Sequence, residues 1–119
     1  MIKYFEILAD LYKELDEGQI EKAVRALSSA QRIFVCGNGG SASTASHFVC
    51  DLSKRVGKKA ICLNDSIPLL TAWANDEEYE NVFQGQLETF SPNHFDVVVM
   101  ISCSGGSENI LKVAKYCNE

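Results

Sequence analysis

The sequence has no long uninterrupted hydrophobic run. Its apolar stretches stay well below the ~18 residues that a membrane-spanning helix requires. Charged residues at Asp10, Lys13 and Glu14 also interrupt the opening segment, where the apolar part of a signal peptide would lie. We therefore expect neither a membrane partner nor a secretory leader.

Positive charge is also scarce. The 119 residues include 11 Lys and Arg against 16 Asp and Glu, which gives a formal net charge of −5 at pH 7. A nucleic-acid-binding domain usually carries a broad basic face, so we expect no nucleic-acid partner. The single basic cluster is interpreted as the solvated end of a helix and comprises Lys54, Arg55, Lys58 and Lys59.

Paired cysteines are lacking. The five cysteines are odd in number, form no CxxC motif and lie mostly within apolar runs. This pattern predicts buried free thiols in a reducing cytoplasm, rather than disulfides or a cysteine-bound zinc ion. The sequence also has no internal repeat, low-complexity tract or linker, and its 46% hydrophobic content fits one domain with one modest core.

A strand, a glycine-rich turn and a helix follow one another in residues 32–51. Residues 33–36 are the β-branched and aromatic types of a buried parallel strand. Glycines in the turn allow close approach of the backbone, and a helix N-terminus carries roughly half a positive charge, so the arrangement favours a phosphate site. The alternative is a plain structural turn, since GNGGS matches neither the dinucleotide fingerprint nor the Walker loop. The turn is Gly37-Asn38-Gly39-Gly40, and the helix is predicted to begin at Ser41 with Ala45, Phe48, Val49 and Leu52 on its apolar face.

A second strand ends in a similar turn. Residues 97–101 form an apolar run, and Ser102-Cys103-Ser104-Gly105-Gly106-Ser107 separates it from a new helix. Because parallel strands end at the same edge of a sheet, the two turns would lie side by side. We therefore expect residues 37–41 and 102–107 to form a single anion pocket.

The remaining segments alternate between helix and strand. This order predicts an α/β fold with a parallel sheet, in which an N-terminal helical pair either caps the sheet or packs against another subunit. The third strand would leave an exposed sheet edge, so either the fold is longer, which we favour, or oligomerisation covers the edge. The predicted elements are helices over 1–15 and 19–29, a strand over 59–63, a short helix from the N-cap Ser66 to about Trp73, an amphipathic helix with Tyr79, Val82, Phe83, Leu87 and Phe90, and a last helix from Ser107 with Ile110, Val113, Ala114 and Cys117 inward.

Three motifs in order give the sequence its resemblance to the sugar isomerase (SIS) domain: GNGGSASTASHFVCDL, AWANDEEYENVFQGQLE and ISCSGGSENILKVA. Within that group it is most similar to the phosphoheptose isomerases, over nearly the whole chain. The resemblance implies a doubly wound parallel sheet, flavodoxin-like or Rossmann-like, of about five strands, of which this chain supplies the first three. It implies one phosphosugar-binding domain over 1–119, with N-terminal helices over 1–30 and a βα core over 31–119 that is incomplete at its C-terminus. It also implies a cytoplasmic homotetramer without a nucleotide cofactor.

The resemblance further implies a sugar-phosphate site. Asn38, Gly39 and Gly40 would line it, and Asn75 and Asp76 would lie at the substrate. For the Asn-Asp pair, the alternative is ordinary turn chemistry.

Four serines would hold the phosphate in this reading, and they are Ser41, Ser102, Ser104 and Ser107. Hydroxyls and helix-start N–H groups bind phosphate without a lysine. For any single serine, the alternative is a role as an N-cap or turn former. Cys103, between two of these serines, is expected to fill a tight turn rather than to act as a nucleophile.

His47 and Asp51 are four residues apart, so both project from one face of the predicted helix. The resemblance matches them to a His and a Glu that bind a metal, here zinc, with the Glu as the proton-moving base of an aldose–ketose isomerisation. It thus implies conversion of sedoheptulose 7-phosphate to a heptose 7-phosphate for heptose biosynthesis. Asp51 would be the base and His47 a ligand or polariser.

The sequence departs from the family pattern at this pair. Asp51 is one methylene shorter than the glutamate, and small misplacements can lower rates on the order of 100-fold. The family's downstream Gln and His would lie beyond Glu119. Within one subunit His94 cannot substitute, because it precedes the third strand, at the opposite sheet edge. The alternative for the pair is a surface or interface role. The alternative function is a non-catalytic module that senses a sugar phosphate or binds a protein such as a replication initiator.

Overall fold

Helices and strands alternate along the chain in the predicted order. The computed structural model describes residues 2–118. Met1, where the sequence predicts the start of the first helix, and Glu119 lie outside the described residues. The elements are α1 (Ile2–Lys13), α2 (Glu17–Ser29), β1 (Ile33–Gly37), α3 (Gly40–Lys54), β2 (Ala60–Cys62), α4 (Ile67–Asp76), a 3-10 turn (Tyr79–Asn81), α5 (Gln84–Phe90), β3 (Val97–Ile101) and α6 (Glu108–Tyr116).

The three strands form a parallel sheet in the order β2-β1-β3. Ile33 of β1 lies opposite Ala60 of β2 and opposite Val97 of β3, and the second pairing continues to Gly37 opposite Ile101. Every residue of the central strand is buried. The chain therefore places β2 on one side of β1 and then crosses to the other side for β3.

Side chains of β1 alternate between two apolar cores, one on each face of the sheet. Ile33 and Val35 face α3, whereas Phe34 and Cys36 face α5 and α6. Helices on both faces make the sheet doubly wound, which confirms the predicted fold class. The α3-side core also contains Ala30, Ala45, Leu52 and Cys62, and the α6-side core also contains Leu63, Val82, Phe83, Leu87, Ile110 and Val113.

The helices between β2 and β3 differ from the prediction. α4 ends at Asp76 rather than near Trp73, and Ser66 stands at its N-cap without a side-chain cap hydrogen bond. The single helix predicted after α4 is a 3-10 turn followed by α5. A 3-10 turn also brings residues i and i+3 to one side, so Tyr79 and Val82 fit a helical spacing in either conformation.

The expectation of buried thiols is wrong for three of the five cysteines. Cys50, Cys103 and Cys117 are exposed, whereas Cys36 and Cys62 are buried, and all five are free. Apolar neighbours in the sequence indicate a core-facing element, but not on which side of that element a given residue lies. Burial raises the pKa of the Cys36 thiol to about 12, so this thiol is protonated at neutral pH.

The N-terminal helices contribute little to the covering of the sheet. Leu27 and Ala30, at the end of α2, pack against the α3-side core, while the described side chains of α1 are exposed. Of the two alternatives for this pair, capping of the sheet is therefore wrong for α1. The large apolar side chains that the two helices expose are Tyr4, Phe5, Ile7, Leu8, Leu11, Tyr12, Ile20 and Val24.

Membrane crossing requires a helix that is both long and apolar, and residues 2–118 contain none with that combination.

Candidate functional site

The turns after β1 and β3 border one cavity at the carboxyl end of the sheet. It has a volume of about 440 Å³. It lies between the two strands where the strand order reverses, which is the usual ligand position in doubly wound folds. The structure thus brings residues 37–41 and 102–107 together. The lining comprises Asn38, Gly40, Ser41, Thr44, Ile101, Ser102, Cys103, Ser104 and Ser107.

Two glycines make the first turn possible. A Cβ on Gly37 would lie 2.8 Å from the carbonyl group of Ser41 and 2.9 Å from the carbonyl oxygen of Ile101, so the backbones approach too closely for a side chain. Gly39 has a φ of 54° and is the N-cap of α3. The helix therefore begins at Gly40, one residue before the predicted Ser41.

The cavity serines differ in what their hydroxyls already bind. Ser102 Oγ accepts a hydrogen bond of 3.0 Å from Gly105 N, and Ser104 Oγ accepts one of 3.3 Å from Gly106 N. Ser107 stands at the N-cap of α6, where its side chain makes no cap hydrogen bond. A hydroxyl that accepts one bond still has a proton to donate, so turn formation and ligand binding are compatible roles for these serines.

Two residues that the motifs do not single out for the site hold Asn38. Asn38 Nδ2 donates to Asn109 Oδ1 at 2.8 Å, and Asn109 Nδ2 donates back to Asn38 Oδ1 at 2.9 Å. Tyr79 also donates from its hydroxyl to Asn38 Oδ1 at 2.9 Å. The sequence signal for Asn109 is weak: it is a polar residue four positions before Val113, on the apolar face of the last helix.

A second carboxamide holds the backbone of the same turn. Asn64, which follows β2, donates from Nδ2 to the carbonyl oxygen of Gly37 at 2.9 Å and accepts from Gly37 N at 3.1 Å. The side chain thereby continues the ladder between β2 and β1 beyond the last residue of β2. On its other side Gly37 pairs with Ile101, so both neighbouring strand ends fix the start of the turn.

Asn75 and Asp76 lie apart from this cavity. They occupy the last turn of α4, where Asn75 Nδ2 donates to Asp76 Oδ1 at 2.9 Å. Asp76 borders a separate hollow beside Trp73. The described residues thus do not bring the pair to the two turns, and its role at the substrate stays a prediction.

His47 and Asp51 lie next to the cavity, further along α3. His47 Nε2 is 3.7 Å from Asp51 Oδ2, and the side chains are 81% and 44% exposed. Arg55 Nε forms an ion pair with the other carboxylate oxygen of Asp51, at a distance of 3.1 Å. The pair borders a shallow hollow that also includes Thr44, and Thr44 borders the cavity as well. The two sites are therefore contiguous.

A zinc ion would find too few ligands in this part of the chain. Catalytic zinc sites usually use three protein ligands, and His47 with Asp51 supplies two. Across residues 2–118, no group of three or more His, Cys, Asp or Glu side chains is placed to hold a metal ion. The residues present do not by themselves fit a zinc site.

His94 lies at the other end of the sheet. It borders a cavity of about 530 Å³ at the amino end of β3, together with Asp96, Tyr116 and Cys117. This cavity includes neither glycine-rich turn, and the position of His94 agrees with its rejection as a partner of His47.

Comparison with known proteins gives consistent relatives. The chain is 46% identical over 94 residues to the phosphoheptose isomerase of Helicobacter pylori, which covers 75% of this chain and 48% of that protein. It is 39% identical over 115 residues to the phosphoheptose isomerase of Campylobacter jejuni, covering 89% and 61%. The solved structure of phosphoheptose isomerase from Neisseria gonorrhoeae matches with a TM-score of 0.86 and 30% identity, over 98% of this chain and 64% of that one.

The chain spans about half to three fifths of the length of these curated relatives. The sequence profile of the SIS domain matches residues 3–119. Because this match extends over nearly the whole chain, the chain belongs to the SIS domain family.

Proposed function

We propose that this SIS domain binds a seven-carbon sugar phosphate and converts sedoheptulose 7-phosphate into a heptose 7-phosphate for heptose biosynthesis. The observation that carries the proposal is the position of Thr44, which borders both the cavity and the hollow of His47 and Asp51. A phosphate in the cavity would direct the sugar along α3 toward that pair. The names of the relatives from Helicobacter pylori and Campylobacter jejuni support the choice of substrate.

The phosphate would be bound by neutral donors. The cavity lining contains hydroxyls, glycine backbone and the starts of α3 and α6, without a Lys or Arg among the described residues that form it. Hydroxyl and backbone N–H groups bind phosphate oxygens by charge-assisted hydrogen bonds, and the two helix dipoles add positive potential. The donors in this proposal are Gly40, Ser41, Ser102, Ser104 and Ser107, with Asn38, Gly39 and Cys103 completing the two turns.

Asp51 would act as the base. Its carboxylate would remove a proton from C1 of the ketose, the C–H electron pair would form the C1–C2 double bond, and the C2 carbonyl oxygen would become the oxyanion of an enediolate. Return of the proton to C2, with transfer of the O1 proton to O2, gives the aldose. His47, one helical turn away, would donate a hydrogen bond to the oxyanion.

Arg55 would orient the base. Its guanidinium lies against one oxygen of Asp51 and leaves the other facing His47. The shorter side chain requires the substrate to lie about one methylene closer to α3 than a glutamate would. Because catalysis is sensitive to such displacements, turnover slower than that of a Glu-containing enzyme, by up to about 100-fold, is consistent with the proposal.

A zinc ion is a prediction of the resemblance, and the steps of the proposed reaction do not depend on it. When bound, a zinc ion polarises a carbonyl oxygen as a Lewis acid. His47 and Asp51 would be its ligands from the described residues, and any further ligand would come from elsewhere.

We further propose that the chain forms a single phosphosugar-binding domain, with residues 1–30 and 31–119 as its two parts, in a cytoplasmic homotetramer. The apolar side chains that α1 and α2 expose would be buried between subunits. The five free thiols fit a reducing compartment.

The test is to incubate the protein with sedoheptulose 7-phosphate in D₂O, with and without zinc, and to follow deuterium at C2 of the product by NMR. We expect turnover that Asp51→Asn lowers by a factor of about 100 or more. Glu88→Gln, which removes an exposed carboxylate on α5, serves as the matched control and keeps wild-type turnover.

The turnover experiment, combined with thermal unfolding in the presence of the sugar phosphate, also tests the alternative, a non-catalytic sensor. Absence of turnover, together with a rise in melting temperature on adding sedoheptulose 7-phosphate, would select a binding module. Absence of both effects would refute the proposal altogether.

A further inference from the structure

Asn109 is a buried polar side chain that contacts the cavity-lining residue Asn38. It lies in the first turn of α6 and is 2% exposed. Its carboxamide meets that of Asn38 in two reciprocal hydrogen bonds of 2.8 and 2.9 Å. The two residues are 71 positions apart in the sequence, and their bonds join the turn after β1 to the helix after β3.

These hydrogen bonds leave the Asn38 carboxamide with one unused hydrogen-bond donor. A carboxamide oxygen accepts two hydrogen bonds, and its NH₂ group donates two. Oδ1 of Asn38 already accepts from Asn109 Nδ2 and from the Tyr79 hydroxyl, and Nδ2 already donates to Asn109 Oδ1. One N–H of Asn38 is left for a ligand in the cavity that Asn38 borders.

We propose that Asn109, assisted by Tyr79, is a positioning residue that holds Asn38 with its remaining N–H toward the cavity. There this N–H donates a hydrogen bond to an oxygen of the ligand. This inference rests on the proposed function, because the acceptor would be an oxygen of the sugar phosphate. A freely rotating carboxamide presents either its oxygen or its nitrogen, whereas the pair with Asn109 restricts it to the donor. Asn109 acts through Asn38 and touches the ligand itself at no point of the proposal.

The first test is a double-mutant cycle on the affinity for sedoheptulose 7-phosphate, measured by calorimetry. Asn109→Leu and Tyr79→Phe are each expected to weaken binding by about 5- to 10-fold. In an Asn38→Ala background the same changes are expected to alter binding by less than about twofold, since sites acting through one partner are not additive. Tyr116→Phe, on the distant end of α6, is the matched control with unchanged affinity.

If the substitutions weaken binding by the same factor in the wild-type and Asn38→Ala backgrounds, Asn109 acts independently of Asn38 and the proposal is overturned. Asn109 is buried, so its replacement can affect folding. Tyr79 is 52% exposed, and Tyr79→Phe therefore gives the same comparison in a variant that keeps the core unchanged.

The second test needs no ligand, and it separates this inference from the proposed function. Side-chain amide resonances of Asn38, assigned by comparison with Asn38→Asp, are followed by NMR in the free protein. We expect the two protons of Nδ2 to be well separated in the wild type and to approach free-amide positions in Asn109→Leu and Tyr79→Phe. If the wild type binds no sugar phosphate but these shifts occur, the substrate assignment fails and the positioning stands; unchanged resonances in both variants overturn the positioning whatever the ligand result.

Discussion

Arg32 and Asp96 join the amino ends of β1 and β3 by a partly buried bidentate ion pair. Arg32 Nη2 lies 2.6 Å from Asp96 Oδ2, and Arg32 Nε and backbone N both donate to Oδ1 at 3.1 Å. The Asp96 side chain is 1% exposed. The guanidinium also donates to the carbonyl oxygens of Phe90 and Ser91, so one side chain fixes both strand starts and the end of α5. This network lies at the end of the sheet opposite the candidate site.

Acid stability should depend on this pair. The hydrogen bonds from Arg32 hold the pKa of Asp96 below its ordinary value. Since the native pKa is the lower one, the pair stabilises the fold fully above the ordinary Asp pKa of ~4, and this stabilisation is lost as the pH falls through the native value. We expect Asp96→Asn to lower the melting temperature at pH 7 and to flatten its dependence on pH below ~4.

The measurement is a series of thermal unfolding curves from pH 2 to pH 7. Asp10→Asn is the control, because the Asp10 ion pair with Lys13 is exposed on both sides and contributes little. Identical acid profiles for the wild type and Asp96→Asn would contradict this account.

The first turn should not tolerate a methyl group at Gly37. The added Cβ of Gly37→Ala would meet backbone atoms of Ser41 and Ile101, which have no free rotation to relieve the contact. We expect a loss of about 1–3 kcal/mol in the free energy of unfolding, as for other overpacked sites, with weaker binding in the cavity. Urea unfolding measures the first effect. Gly106→Ala, whose Cβ would have no neighbour within 4 Å, should stay within about 0.5 kcal/mol of the wild type.

A smaller side chain in place of Trp73 should reduce the destabilisation caused by a methyl group at Gly85. A Cβ on Gly85 would lie 2.5 Å from the indole ring of Trp73, so Gly85→Ala should destabilise the protein by about 1–3 kcal/mol. A smaller ring makes room for the methyl group. Gly85→Ala should therefore cost less in a Trp73→Phe background than in the wild type. Denaturant unfolding of the four proteins tests this, and strictly additive losses would rule out the contact as the cause.

The serines of the second turn should separate stability from binding. Ser107 makes no cap hydrogen bond, so Ser107→Ala should weaken sugar-phosphate binding by about 10- to 100-fold with little change in melting temperature. Ser102→Ala should reduce both, since Ser102 Oγ also accepts from Gly105 N. Calorimetry and thermal unfolding measure the two effects, with Ser53→Ala on exposed α3 surface as the control. Normal affinity in Ser107→Ala would remove that hydroxyl from the proposed site.

The sequence predicts the sheet well because its strands carry local signals. The apolar runs before Gly37 and before Ser102 each end in a glycine-serine turn, and a parallel sheet then leaves one arrangement of those turns. The convergence of the two turns follows from the same rule. The helices are less exact at their ends, because a glycine at Gly39 and a 3-10 turn at Tyr79 depend on backbone angles rather than on hydrophobic spacing.

Contacts across the chain could not be predicted from the sequence. The partnership of Asn38 with Asn109 links two residues 71 positions apart, and no local pattern announces it. The prediction of buried cysteines was wrong for a related reason, since apolar neighbours in the sequence do not indicate on which side of its helix Cys50 lies. The position of Asn75 depends on how α4 packs, which the turn-like Asn-Asp dipeptide does not encode.

The central strand also divides the interior into two compartments. Phe34 and Val35 are neighbours in sequence, yet their side chains belong to different cores and share no buried partner in either cluster. Losses from truncating side chains that belong to different cores and lie more than about 10 Å apart should therefore simply sum, and each compartment can accumulate replacements without forcing a matching change across the partition. Since the candidate site uses α3 from one compartment and α6 from the other, sequence drift on either side can adjust half of the site while the other half keeps its shape.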